Sequence, residues 1–154
     1  MLEAKEIREI LKKEGFKRTD ISVRNVRCTM DTIVDVTIKN PYINRKQVDD
    51  LLKHFRDIDR DERTGEILSG GNTFVSVEWE YGIFNEVRQA YVDTAEKAMS
   101  AGEKFVEILP GLSLSKFDRL EVRQKNKVGY KVISTANELA EYIFKYLTFG
   151  NIFA

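Results

Sequence analysis

Thr32-Ile33-Val34-Asp35-Val36-Thr37-Ile38-Lys39 alternates with a period of two. Val34, Val36 and Ile38 fall on one side, Asp35, Thr37 and Lys39 on the other. That is the pattern of a strand with one buried face and one wet face. Working outward, residues 20–27 read as a partner strand, with Cys28-Thr29-Met30-Asp31 as the hairpin connection. Residues 2–14 place Leu2, Ile7, Ile10 and Leu11 near one face of a helix that stops at Gly15. Asn40-Pro41 breaks the strand on the other side. Asn44 then reads as a helix N-cap, with Gln47 three residues on as the second member of a capping box. Val48, Leu51, Leu52 and Phe55 give the buried stripe of a helix over 44–55. A polar loop and Gly70-Gly71 lead to a third strand, 73–81. Its Val75, Val77, Trp79 and Tyr81 point one way, and Ser76, Glu78 and Glu80 the other.

Helical spacing returns at Phe84, Val87, Tyr91, Ala95, Ala98 and Met99, so 84–101 is expected to be a helix ending before Gly102. Phe105 to Leu109 reads as a strand cut off by Pro110-Gly111. Leu120 and Val122, then Tyr130 and Val132, form alternating runs around a turn at 125–129. Thr135 caps a last helix, with Glu138 three residues on. Leu139, Ile143, Phe144 and Leu147 make its core side. The short apolar tail 149–154 is expected to pack down or to meet a partner. The order is α-β-β-α-β followed by α-β-β-β-α. It predicts the α+β class, a mostly antiparallel sheet with flanking helices. Nothing near Tyr81–Phe84 has the composition of a linker. We therefore expect one domain with two lobes, residues 1–82 and 83–154.

The totals narrow the function. The 25 basic and 25 acidic residues cancel, whereas a general nucleic-acid binder carries a basic excess to neutralise phosphates. A lone cysteine, Cys28, excludes an internal disulfide and suits a reducing compartment. The opening MLEAKEIREILKKEG is charged and amphipathic, unlike a secretory signal. No apolar run approaches the roughly 20 residues needed to span a bilayer. A cytoplasmic protein of a bacterial cell with no membrane partner is the expectation.

No catalytic or metal-binding constellation stands out. The single histidine, His54, has no nucleophile in a recognisable signature beside it. Asp57, Asp59 and Asp61 have the spacing of the first three ligands of an EF-hand loop. The turn-glycine position holds Glu62, however, and the final glutamate position holds Leu68. Gly65 and Gly70-Gly71 precede a strand, so they suit turns better than a phosphate loop. We expect no catalytic residue, no metal and no cofactor. An enzyme built around Asp57, Asp59 and Asp61 stays open as a third reading.

Charge is unevenly spread. Lys116 to Lys131 is basic, and strand alternation sets Arg119, Arg123, Lys125 and Lys131 opposite Leu120, Val122, Tyr130 and Val132, with Lys127 at the turn. Such a ribbon suits phosphates or an acidic protein groove, although lysines on a hairpin also block edge pairing. Glu78, Glu80, Glu86 and Asp93 form a contrasting acidic face able to imitate phosphates toward a basic nuclease cleft.

Ile7-Arg8 with Leu11-Lys12, then Ser22-Val23-Arg24, then a helix ending at Phe55 and a Gly-rich step before a strand, give residues 4–81 a recognisable order. This half of the chain resembles the large polyvalent protein-associated domains of phages and conjugative elements. The resemblance implies a mobile-element origin and a role in protecting incoming DNA. A small standalone version is similar in kind to an anti-CRISPR protein, which blocks a host nuclease by occupying its surface. The first expectation is thus a non-catalytic inhibitor that binds a host defence protein such as a CRISPR effector nuclease. The second is a nucleic-acid-binding accessory using the 116–131 hairpin.

Overall fold

The alternating run at 32–39 becomes the central strand of a three-stranded sheet. The computed structural model describes residues 2–27, 31–55 and 73–154. The chain divides into two compact units, Met1–Ile83 and Phe84–Ala154. The first holds α1 (Leu2–Lys13), β1 (Ile21–Arg27), β2 (Thr32–Ile38), α2 (Arg45–Leu51) and β3 (Thr73–Trp79). A short 3-10 turn at Lys53–Phe55 follows α2, so the helix expected over 44–55 is two pieces. The sheet order is β1-β2-β3. β1 and β2 are antiparallel, whereas β3 runs parallel to β2 after the crossover that contains α2.

Local chemistry sets the ends of these elements. At the C-terminus of α1 the Phe16 N–H donates to Leu11 O at 2.9 Å and the Gly15 N–H to Lys12 O at 3.0 Å, with Gly15 at φ +94°. This is a Schellman stop, which needs the left-handed conformation that glycine adopts without strain. The Asn44 side chain caps α2 by accepting from the N–H groups of Lys46 and Gln47 at 3.0 and 3.4 Å. The core joins Ala4, Ile7 and Leu11 of α1 to Val34, Val36 and Ile38 of β2, Val48 and Leu52, and Val75 and Val77 of β3.

The second unit opens with a 3-10 turn at Val87–Tyr91 and then α3 (Val92–Ser100), in place of one helix over 84–101. Four strands follow: β4 (Phe105–Leu109), β5 (Leu112–Ser115), β6 (Leu120–Gln124) and β7 (Lys131–Ile133). α4 (Ala136–Phe149) closes the unit. The sheet order is β4-β5-β6-β7 and every pairing is antiparallel. The expected order had three strands here. β5 is the extra one, and Pro110-Gly111 is the two-residue turn of the β4–β5 hairpin rather than the end of a solitary strand. The molecule is α+β with two sheets instead of one, and β2–β3 is the parallel exception among the described pairings.

Helices cover one side of the second sheet. Ala95 and Ala98 of α3 and Leu139, Ala140 and Ile143 of α4 are buried with Leu112, Leu114, Val122 and Ile133. Each such leucine or isoleucine contributes about 1.5–3 kcal/mol of hydrophobic stabilisation. Leu147, expected on the core side of α4, is exposed, while Ile152 of the tail is buried in the core of this unit. The Gln124 side chain holds that tail: its Nε2 donates to Gly150 O at 2.8 Å, and its Oε1 accepts from Ile152 N at 3.0 Å. The tail therefore packs down onto its own unit.

Candidate docking face on the second sheet

The register assigns every strand residue to a side. Val106, Leu114, Val122 and Lys131 align across the four strands toward the helices. Phe105, Ser115, Glu121 and Val132 align on the outer side, where Glu107, Ser113 and Arg123 also lie. A sheet face with no helix over it normally carries polar residues. This one carries exposed apolar groups: Phe105 is 58% exposed, Val132 47%, and Phe117 in the β5–β6 connection 66%.

The polar part is an organised cluster. Glu121 lies between two arginines and accepts from Arg119 Nε at 2.9 Å and from Arg123 Nη2 at 2.7 Å. Arg119 also donates to the Tyr130 hydroxyl. Both guanidinium groups lie over the Tyr130 ring, at 5.2 Å for Arg119 and 4.7 Å for Arg123. The hydrogen bond from Arg119, ahead of that from Arg123, holds the Glu121 carboxyl below the usual carboxylate range. The same bond leads the causes that raise Arg119. Both groups stay charged near neutral pH. A hollow of about 350 Å³ opens between this cluster and the aromatics, lined by Phe105, Phe117, Ser115, Asp118, Arg119, Glu121 and Arg123.

The basic ribbon expected at 116–131 is therefore largely engaged within its own unit. Lys116 Nζ donates to the carbonyls of Met99 and Ala101 at 3.1 and 2.6 Å, capping the C-terminal end of α3. Lys131 faces the inner side with Val122, and its Nζ lies 5.5 Å from the centre of the Phe153 ring. This corrects the expected alternation, because Tyr130 and Val132 share the arginines' face. Val132-Ile133 offers two apolar neighbours, and burial of Ile133 decides which one turns inward. Lys125 and Lys127 are exposed at the turn, which closes with Lys127 N to Gln124 O at 3.1 Å and Asn126 at φ +68°.

The acidic residues divide between the units. Glu78 and Glu80 are exposed on β3 and just beyond it, and Glu86 and Asp93 are exposed around the start of the α3 region. His54 is exposed in the turn after α2. A second hollow of about 410 Å³ lies along α2, lined by Asn44, Lys46, Gln47, Asp50 and Leu51. It is larger, but it lacks the paired charges and aromatics that the other one gathers. Cys28, Gly65, Gly70-Gly71 and the loop with Asp57, Asp59 and Asp61 lie outside the described residues. Among the described residues no three His, Cys, Asp or Glu side chains gather in a metal-holding group, and no helix is long and apolar enough to cross a membrane.

Fold and face together define a two-unit α+β protein with an aromatic and arginine platform on one open sheet. Comparison with family models, curated proteins and solved structures returns no match.

Proposed function

We propose that this chain works by binding a protein partner on the outer face of the β4–β7 sheet. The carrying observation is the platform itself: Phe105, Phe117, Tyr130 and Val132 exposed around an Arg119–Glu121–Arg123 cluster. Aromatic residues and arginine concentrate binding energy at protein interfaces. Here Glu121 and Tyr130 hold the arginines in place in advance, which lowers the entropy cost of docking. The balance of charge favours a protein over a nucleic acid. Arg119 and Arg123 share the hollow with Glu121 and Asp118, leaving no local excess to neutralise phosphates. The partner surface that fits supplies an apolar anchor for the hollow and mixed polar groups at its rim.

The narrower reading is a non-catalytic inhibitor of a host defence nuclease, in the manner of an anti-CRISPR protein. It is supported by the resemblance of residues 4–81 to mobile-element domains, and the docking face supplies a means of action. The test is a photo-reactive phenylalanine analogue at Phe117, with the same analogue at exposed Glu96 of α3 as control, in cells that express the chain. A discrete protein adduct from position 117, missing from position 96 and lost in the Arg119→Glu, Arg123→Glu variant, is expected. Equal adducts from both positions would contradict the face. Co-purification with a panel of CRISPR effector nucleases tests the narrower reading, and failure across the panel removes it. Tight binding of a single-stranded oligonucleotide that collapses with added salt would move the function to nucleic acid.

A further inference from the structure

Resting on the reading that this face docks a protein, we propose that the partner contributes an extended strand that pairs with the free edge of β4 and reads basic–x–apolar–x–basic. The hydrogen-bond phase of β4 points to this. Lys116 N donates to Lys104 O at 2.7 Å, and Val106 lies opposite Leu114 two residues on. Antiparallel ladders alternate, so residues 104 and 106 turn their backbone groups toward β5. Phe105 and Glu107 must turn their N–H and C=O groups the other way, toward the open edge. Among the described residues no backbone group bonds to them there.

The edges at β1 and β7 differ. On β1 the Ile21 N–H donates to Lys17 O at 3.3 Å, and Arg8 of α1 donates to Val23 O at 2.6 Å, so two of its outward-facing groups are taken. β7 has three residues. Proteins commonly cover, shorten or twist away an edge that is not used for pairing. On β4 the bulge between Glu107 and Leu109 ends the regular edge, which leaves a short open segment at 104–107.

Side chains specify the occupant. Glu103, Phe105 and Glu107 are alternate residues, all exposed, and Phe105 and Glu107 share the outer face. Glu107 makes one long contact, accepting from Gly111 N at 3.4 Å. A strand laid beside β4 sets its alternate side chains directly against this row. Cations opposite Glu103 and Glu107 form favourable cross-strand pairs. An apolar residue opposite Phe105 reaches the hollow that Phe105 and Phe117 line.

The probes are two synthetic peptides, Lys-Val-Leu-Val-Lys and Glu-Val-Leu-Val-Glu, titrated into the full chain and followed by amide NMR. The lysine peptide is expected to shift the Phe105 and Glu107 amides first, and the glutamate peptide to leave them unmoved. Glu107→Ala removes the carboxylate and keeps the N–H. Glu107→Pro removes both, and its missing donor faces outward, where an edge strand tolerates proline. Binding about tenfold weaker for Glu107→Pro than for Glu107→Ala is expected, the loss of one hydrogen bond. Equal affinity for both variants, or for both peptides, overturns the strand pairing, as do wild-type shifts centred away from β4. The adduct from position 117 keeps the two levels apart. If it survives in Glu107→Pro but not in the arginine variant, the face docks the partner and the edge does not.

Discussion

Gly111 shows how one residue can decide a hairpin. It follows Pro110 in the two-residue turn between β4 and β5, at φ +88°, the conformation a type II turn needs at its third position. A Cβ there would stand 2.6 Å from the Tyr146 hydroxyl, which itself donates to Pro110 O. Strain and crowding act together, so Gly111→Ala is expected to lower stability by about 2 kcal/mol, measured by urea unfolding. Glu121 gives a prediction of another kind. Its carboxyl is held low chiefly by the Arg119 hydrogen bond, so the charged form is the one the folded state favours. The contribution of the cluster is present above the ordinary carboxylate range and is lost only as pH falls through the lowered value. An NMR titration of the Glu121 carboxyl is expected to find its midpoint below that of a free glutamate. An ordinary midpoint would mean that the arginines do not hold it.

At the scale of elements, legibility followed the strength of local periodicity. β2 is readable because Val34 to Ile38 alternate without interruption, and α4 because Thr135 and Glu138 mark its start. The cap is present, with the Glu138 N–H donating to Thr135 Oγ1 at 3.2 Å. β5 is hidden in the sequence because Leu112-Ser113-Leu114-Ser115 is four residues long, and its two serines obscure a strand that Pro-Gly announces. Leu112 and Leu114 are nevertheless fully buried. Leu114→Ala is expected to cost about 2–5 kcal/mol, whereas Ser113→Ala on the outer face stays within about 0.5 kcal/mol; thermal and urea unfolding of the pair check this. The parallel pairing of β3 was hidden because direction across a long connection is not written in local pattern. The docking face was half legible. Charge singles out Arg119 and Arg123, but Phe105 and Phe117 join them only through the pairing of β4 with β5, a strand the sequence pattern hides.

For the whole molecule, the 25 basic and 25 acidic residues sum to zero without being evenly spread. Acidic and basic stretches that look like opposed patches in the sequence resolve into an internal helix cap at Lys116, an arginine–glutamate cluster at 119–123, and acids distributed over two units. Binding on the outer face of the second unit leaves no such role to Glu78 and Glu80 on the first. Calorimetry with the partner captured from position 117 separates these. A Phe117→Ser, Arg119→Ala, Arg123→Ala variant is predicted to bind at least about tenfold more weakly than the unaltered chain, and Glu78→Ala, Glu80→Ala to bind equally well. Unchanged affinity in the first variant, with loss in the second, would contradict docking on the β4–β7 face.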